Sequence, residues 1–361
     1  MNTKFTSLIL LLLLSVGLLP VAAQAAESPA SGMPGNAWFG YGVRVDLQGP
    51  DALSAIRLSG KVNIDWVAVE FDWDEAQPKA SYAPHWGALD TALKTAADND
   101  IAVMISITHA PSWAMKQNGP DPQATADLAS KLVRRYPNAL LALELFPHAN
   151  TRQGWGAIPN PQAYAKLLKV TSQAVHKVNP QIVLVAGGLT PVRSSTQAMS
   201  DTTFLDGLYR AGAAQYMPVV GLRLPPIGDD PLTPREKSNR TVLRHYEAVR
   251  EVMVRNGHRN GLIWVTSFTW NAGALRSAEK QANWLEQSYL LMRQQLYIGA
   301  AFFDSLNPSP GRAVLLPSRG GYHPGFDNLV TIIAKDHNGQ SIVISPDFYK
   351  QTFPKNQPKD R

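Results

Sequence analysis

Eight continuous apolar runs recur along the chain, and they constrain its fold more than any other feature. Each run is six to eight residues long and is followed by a longer amphipathic stretch. Apolar runs without polar alternation are typical of strands that are buried on both faces of a parallel sheet. The predicted strands span residues 40–47, 66–72, 101–108, 140–146, 182–188, 219–224, 262–268 and 299–306.

The segments between these runs have the period of amphipathic helices. In 125–136, Leu128, Leu132 and Val133 fall on one helical face, and 161–178 begins with a proline, which helices accept in the first turn. Eight strand–helix repeats predict a single-domain (β/α)8 barrel, a TIM barrel, rather than a doubly wound sheet. The length of 361 residues, 45% of them apolar, is sufficient for such a core.

The two ends of the chain differ from this pattern. Residues 1–25 contain one lysine, a leucine-rich run and the small-x-small sequence Ala23-Gln24-Ala25, which together predict a secretory signal peptide. The alternative is an uncleaved N-terminal anchor. We expect 26–37 to be a flexible lead-in, 38–335 to be the barrel and 336–361 to be a C-terminal extension. The mature protein is then secreted, periplasmic or on the cell surface, without a transmembrane span.

Composition excludes several classes of function. The chain has no cysteine, so it has no disulfide and no thiol nucleophile. The 34 Lys and Arg residues outnumber the 28 acidic residues, but they form no run with interleaved aromatic residues, so nucleic acid is not an expected partner. The eight histidines lack metal-ligand spacing, and no glycine-rich phosphate loop precedes a helix. We therefore expect no metal site and no cofactor.

Several motifs resemble those of one large group of enzymes. These are "ITHAPSWA" (107–114), "QIVLVAGGLTP" (181–191) and "GYHPGFDNL" (321–329). On these motifs the sequence resembles the β/α-barrel glycoside hydrolases of the retaining type, which carry catalytic glutamates after the fourth and the seventh strands. The resemblance extends over residues 40–329 and implies the same barrel fold.

The expected catalytic positions depart from that family. The fourth strand is followed by "ELFPHAN", in which His148 stands at the acid/base position, Pro147 precedes it and Asn150 still matches the family. The seventh strand reads "WVTSFTW", in which Ser267 stands at the nucleophile position, and Arg223 replaces a histidine of strand six. A retaining glycosidase needs two carboxyl groups roughly 5–5.5 Å apart. The chain is therefore a degenerate member by resemblance, and we expect His148 and Ser267 to face one another at the barrel mouth.

Other chemistry remains open from sequence alone. The strand ends also supply Asp72 and Asp304, and these two acids are the fallback candidates for a glycosidase with relocated carboxylates. His148 and Ser267 could instead form a Ser–His pair for ester cleavage, although no nucleophile-elbow sequence surrounds the serine. A third alternative is a protein–protein interaction module whose cleft is filled.

Aromatic residues at the strand ends point to a carbohydrate ligand. Tryptophan rings stack on the apolar faces of sugars while polar groups bind the hydroxyls. We therefore predict an exported glycoside-hydrolase-like barrel that has lost hydrolysis and acts as a carbohydrate-binding or cell-surface scaffold protein. Its expected partners are oligosaccharides or polysaccharides, and possible further partners are other cell-surface proteins. The predicted ligand-binding residues are Trp73, Trp113, Asn150, Trp155, Arg223 and Trp270.

Overall fold

A computed structural model of the protein describes residues 39–270, 277–309, 315 and 324–337. Within them, eight parallel strands form a closed barrel in which each strand pairs with the next along the chain and β8 pairs with β1. The strands are β1 Gly40–Arg44, β2 Trp66–Asp72, β3 Ala102–Thr108, β4 Leu140–Leu145, β5 Val183–Leu189, β6 Val219–Arg223, β7 Leu262–Phe268 and β8 Ile298–Phe303.

A helix follows every strand and packs on the outside of the barrel. Side-chain caps fix several helix starts: Asp121 accepts from the backbone amides of Gln123 and Ala124 at α3, and Asn160 accepts from that of Ala163 at α4. The eight helices are α1 Ala52–Lys61, α2 Gly87–Ala97, α3 Pro122–Arg135, α4 Pro161–Val178, α5 Asp201–Arg210, α6 Tyr246–Arg255, α7 Ala278–Arg293 and α8 Pro324–His337. Short helices at Trp73–Ala76 and Arg152–Trp155 and a small hairpin, Met115–Lys116 with Gly119–Pro120, lie in the connections.

The predicted (β/α)8 barrel is confirmed, and all eight predicted strands are present. The predicted signal peptide and lead-in lie outside the described residues, as does the extension beyond His337. Asp336 and His337, which we assigned to the extension, are the last residues of α8. No helix in the described ranges is long and apolar enough to cross a bilayer.

Two layers of different character fill the inside of the barrel. Strand register places Ala68, Met104 and Ala142 side by side, and two residues further along it aligns Glu70, Ser106 and Glu144 in the same way. The lower layer is apolar; it also contains Val185, Trp264, Ala300 and Phe302. The upper layer, toward the carboxyl ends of the strands, is polar and charged. Because this is the end where barrels carry their functional sites, the change of character marks the region to examine.

Candidate functional site

A network of charged side chains fills the mouth of the barrel, and Glu144 lies at its centre. The Glu144 carboxylate accepts hydrogen bonds from Ser106 Oγ at 2.6 Å, Thr266 Oγ1 at 2.5 Å and Arg223 Nη2 at 3.3 Å. Its side chain is 0% exposed. Burial acts to raise the pKa of Glu144, but the charges of Arg223 and Arg44 and the two hydroxyl donors outweigh burial and lower this pKa. Glu144 is therefore an ionised, inaccessible carboxylate.

Two arginines join Glu144 to the other acids of the mouth. Glu70 Oε1 accepts from Arg44 Nη2 at 3.0 Å and from Arg223 Nη1 at 2.9 Å. Both guanidinium groups are buried, whereas the Glu70 side chain is 42% exposed. Arg44 Nε also lies 3.7 Å from Asp304 Oδ2. We call this set, Arg44, Glu70, Ser106, Glu144, Arg223, Thr266 and Asp304, the mouth network.

Ser267, at the end of β7, is attached to the mouth network by its hydroxyl. Ser267 Oγ donates to Asp304 Oδ2 over 3.0 Å, and both residues are buried. No hydrogen bond joins the side chains of Ser267 and His148 in the part of the chain that the structure describes. The Ser–His pair is therefore not formed, because the serine proton is directed to a carboxylate instead.

His148 lies in a strained segment that follows β4. Its φ of 62° and the φ of 50° at Phe146 lie in the left-handed region, which side chains with a Cβ rarely adopt. The backbone amide of His148 donates to the carbonyl oxygen of Gly188 at 2.9 Å, which fixes the turn against β5. Burial, together with the charge of Arg223, lowers the pKa of His148 to about 4, so the imidazole is neutral at neutral pH.

An open cleft lies beside the mouth network, at the carboxyl ends of β1, β2 and β3. Its volume is about 580 Å³. Asp72 at its wall accepts from the backbone amide of Glu75 at 3.1 Å, and its other oxygen lies 2.7 Å from Nδ1 of His109. Trp86 is half-buried there, with its ring stacked on Phe71 at 5.6 Å between centroids. We call this cavity the side cleft; its lining includes Arg44, Asp46, Glu70, Asp72, Glu75, His85, Trp86 and His109.

The structure separates the two fallback carboxylates. Asp72 lines the side cleft, whereas Asp304 is 5% exposed and is held by Ser267 and Arg44. Asp304 is therefore part of the mouth network, and only Asp72 of this pair belongs to the lining of the side cleft.

The tryptophans correct the expectation of a stacking surface. Trp73, Trp155 and Trp270 are 0%, 1% and 2% exposed, so their ring faces are covered by protein. Their rings pack on other aromatic side chains: Trp73 on Trp113, Trp155 on Phe146 and Tyr164, and Trp270 on Trp284 and Phe303. Trp113 is half-buried, and its Nε1 donates to the carbonyl oxygen of Gln77 at 2.9 Å.

Asn150 and Arg223 have partners within the protein. Asn150 is 0% exposed; its amide nitrogen donates to the carbonyl oxygens of Thr190 and Met199, both at 2.8 Å, and its oxygen accepts from the backbone amide of Thr190. It ties two loops together and is not open to a ligand, which corrects its predicted role. Arg223 is 5% exposed and belongs to the mouth network, so the predicted ligand contact is replaced by contacts to acids.

Sequence reasoning assigned no place in the site to Arg44, Glu70, Glu144 or Trp86. Arg44 and Glu70 interrupt apolar strands at positions that face the barrel interior, and a charge at such a position is a signal that period-2 counting could have found. Trp86 lies just before α2, far from a strand end, and no pattern identified it. No group of three or more possible metal-ligating side chains occurs within the described ranges.

Comparison with known proteins identifies relatives by structure alone. No protein family matches the sequence, and no curated protein does. A family 39 glycoside hydrolase from Bacteroides cellulosilyticus WH2 superposes with a TM-score of 0.63 at 18% identity, covering 84% of this chain and 64% of that one. An exo-beta-1,4-mannosidase from Opitutaceae bacterium strain TAV5 gives 0.60 at 11% identity, covering 82% and 60%.

A third neighbour is a GH30 endoxylanase from Clostridium papyrosolvens C71, with a TM-score of 0.52 at 12% identity, covering 78% of this chain and 67% of that one. This chain thus spans less than two thirds of the length of the first two neighbours. The predicted resemblance to barrel glycoside hydrolases is confirmed at the level of the fold, which identities this low can establish.

Proposed function

We propose that this protein binds carbohydrate chains in the side cleft and does not hydrolyse them. One observation carries the proposal: the hydroxyl of Ser267, which stands at the nucleophile position of the resembled family, donates its hydrogen bond to Asp304. The acids and the arginines of the mouth network are thus bonded to groups of the protein itself. The similarity of the fold to glycoside hydrolases supports carbohydrate as the class of ligand.

The chemistry of the mouth network supports the loss of the family mechanism. Retaining hydrolysis requires one ionised carboxylate that can reach the anomeric carbon and one protonated acid that can reach the leaving oxygen. Ser267 supplies no ionised oxygen, and the neutral imidazole of His148 has no proton with the acidity of a carboxylic acid. Glu144 is ionised but fully buried, so substrate cannot reach it.

The side cleft has the chemical character of a sugar site. The carboxylates of Asp72 and Glu70 can accept hydrogen bonds from sugar hydroxyls. The half-buried Trp86, whose ring stacks on Phe71 and lies under the Arg135 guanidinium, adds apolar surface to the lining. The position of the cleft, at the carboxyl ends of three barrel strands, is where barrels bind their ligands. The proposal also places the protein outside the cytoplasm, where it would act as a glycan-binding or scaffold component.

Two parallel assays test this function. On an array of neutral oligosaccharides, we expect the wild-type protein to bind at least one class, and Trp86→Ala to weaken that binding about tenfold or more. Tyr82→Ala is the matched control, because Tyr82 is an exposed aromatic residue that does not line the side cleft. Asp72→Asn provides a second cleft variant if Trp86→Ala is unstable. An array without any bound glycan would refute the proposal.

The second candidate function is hydrolysis with relocated carboxylates, and the exposure of Asp72 to the cleft favours it. Aryl glycosides have good leaving groups, so they require little of an acid and test for a nucleophile directly. We expect no turnover by the wild-type protein. Turnover that disappears in Asp72→Asn or in Asp304→Asn would establish the second candidate instead. Turnover that survives both changes would place the catalytic groups elsewhere in the chain.

A further inference from the structure

The exposed side chains of α3 and α4 have an unusual excess of positive charge. Lys131 and Arg134 project from α3, and Lys166, Lys169 and Lys177 project from α4; all five are exposed. Asp127 is the one exposed acid on these two helices. Arg135, which is also exposed on α3, is paired with Asp90 at 2.7 Å. The other five cations and Asp127 give a net charge of +4 here, compared with +6 for the entire chain. We call the five cationic residues the basic face.

Helical geometry places the basic face along one seam. Residues spaced three to four apart, or multiples of a turn apart, share a helix side, as Lys131 and Arg134 do on α3 and Lys166, Lys169 and Lys177 do on α4. The two helices pack beside each other. A groove of about 650 Å³ lies between them; Lys131, Arg134 and Lys177 line it together with the acid Asp127, whereas Lys166 and Lys169 lie outside its lining.

The cations of the basic face form no ion pair within the described ranges, whereas several other surface charges are paired. Lys94 pairs with Asp98 at 2.7 Å, Arg135 with Asp90 at 2.7 Å, and Arg235 with Glu251 at 2.7 Å. None of the five residues of the basic face forms an ion pair or a side-chain hydrogen bond with another residue in the described ranges. Unpaired like charges repel one another, and a bound polyanion relieves that repulsion.

We propose that the basic face docks a linear acidic polysaccharide, a chain of carboxylated sugars, independently of the side cleft. Four of the five cations are lysines, which act as point charges and suit a flexible chain of carboxylates rather than one rigid bidentate anion. A groove between two helices accommodates one extended polymer chain better than it accommodates the flat surface of a lipid membrane. None of the exposed large hydrophobic residues lies on α3 or α4, whereas surface-lying membrane helices insert such residues.

The absence of exposed aromatic rings on these two helices also disfavours single-stranded nucleic acid, which binds by stacking its bases on such rings. The acidic polysaccharide is therefore the polyanion that the face fits best. Because the attraction is electrostatic and solvent-exposed, its affinity should fall steeply with added salt.

Binding to immobilised polygalacturonate at low ionic strength tests this proposal. We expect the wild-type protein to bind, and the triple variant Lys131→Gln, Arg134→Gln, Lys177→Gln to bind about tenfold or more weakly. A charge-matched control removes three exposed cations elsewhere, Lys61→Gln, Lys237→Gln and Arg259→Gln, and should lose less than about twofold. Lys131→Arg with Lys177→Arg should bind like the wild type, because the charges are kept.

Four outcomes would overturn the proposal. These are no binding by the wild type, equal losses in the two triple variants, tighter binding to vesicles of anionic phospholipid, and tighter binding to single-stranded DNA. Trp86→Ala separates this surface from the side cleft: it should leave polygalacturonate binding unchanged. If the glycan array fails while polygalacturonate still binds, the proposed function of the side cleft fails alone.

Discussion

The mouth network and the side cleft adjoin at the same end of the barrel and share Arg44 and Glu70, yet the carboxylates of Glu144 and Asp72 have opposite surroundings. In the mouth network Glu144 is 0% exposed and is held by three donors, one of them an arginine. In the side cleft Asp72 is 29% exposed, and its partner His109 is 56% exposed. The first carboxylate is isolated from water, and the second is in contact with it.

The difference in exposure between Glu144 and Asp72 indicates different roles, one in the stability of the fold and one in ligand binding. A buried ion pair is costly to break, because removal of one partner leaves the other charged in a medium of low dielectric constant. An exposed pair contributes little to stability, because water screens both charges. We infer that the mouth network now serves the fold, whereas the side cleft retains groups that a ligand can displace.

The largest expected effect on stability comes from substitution of Glu144, the central carboxylate of the mouth network. Glu144→Gln removes a negative charge beside Arg223. It also replaces one acceptor oxygen with an amide NH2, which cannot accept the hydrogen bond that a neighbouring donor makes to Glu144. We expect the free energy of unfolding to fall by about 3–5 kcal/mol, measured by urea denaturation with an unchanged m-value. Glu75→Gln in the exposed wall of the side cleft is the control and should change it by less than about 0.5 kcal/mol. A loss below about 1 kcal/mol for Glu144→Gln would contradict the division.

The pH dependence of His148 gives the next effect. The folded-state pKa of about 4 lies below the usual value of 6.5, so the unfolded chain binds a proton that the folded protein refuses between these two values. The contribution of the neutral His148 to the free energy of unfolding is therefore fully present above pH 6.5 and is lost as pH falls toward 4. The test substitution is His148→Asn, because asparagine tolerates a left-handed backbone. Between pH 7 and about pH 4.5, the free energy of unfolding of this variant should fall by about 2 kcal/mol less than that of the wild type.

His85→Asn is the control for this measurement, because the side chain of His85 is exposed. Unfolding curves of the three proteins at several pH values give the comparison. If wild type and His148→Asn lose stability in parallel, the imidazole is not held neutral by its surroundings.

A smaller effect is expected when a carboxylate is placed at position 267. Ser267→Glu adds a carboxylate beside Asp304, whereas Ser267→Gln adds a side chain of the same size without charge. At neutral pH we expect the glutamate variant to be less stable than the glutamine variant by about 1–2 kcal/mol, through like-charge repulsion and desolvation. Thermal melts of both variants measure the difference. An equal or higher melting temperature for the glutamate variant would show that the arginines absorb the added charge.

The smallest effect belongs to the side cleft. Asp72→Asn breaks the contact with His109, which is largely exposed, and should change the free energy of unfolding by less than about 1 kcal/mol. The same substitution should weaken glycan binding. A large loss of stability together with unchanged binding would assign Asp72 to the structural region and reverse the comparison.

The fold was readable from the sequence because buried parallel strands have a simple signature. The run at 262–268 coincides with β7, and that at 66–72 coincides with β2, because most residues of these two strands are buried. The run at 40–47 continues three residues past β1, which ends at Arg44. An apolar run therefore does not show at which residue the strand stops pairing with its neighbours in the sheet.

The site was only partly readable, because position along a strand does not fix the direction of a side chain. Ser267 and Asp304 were found as strand-end residues, but their hydrogen bond depends on the register of two strands. Trp73 and Trp155 follow strand ends, yet both are buried, with their rings packed on Trp113 and on Tyr164 respectively. The basic face was invisible for the same reason: its lysines are scattered in sequence and adjoin only when α3 and α4 pack together.

The crowding of carboxylates in the mouth network also limits what a single substitution at position 267 can achieve. A glutamate there would be a fourth carboxylate beside Glu70, Glu144 and Asp304, which are already held by two arginines. We expect such a variant to be less stable than the wild type and, with His148 unchanged, to gain no hydrolysis. The order of substitutions therefore matters: Asp304→Asn first removes a neighbouring negative charge, after which a glutamate at position 267 is better tolerated.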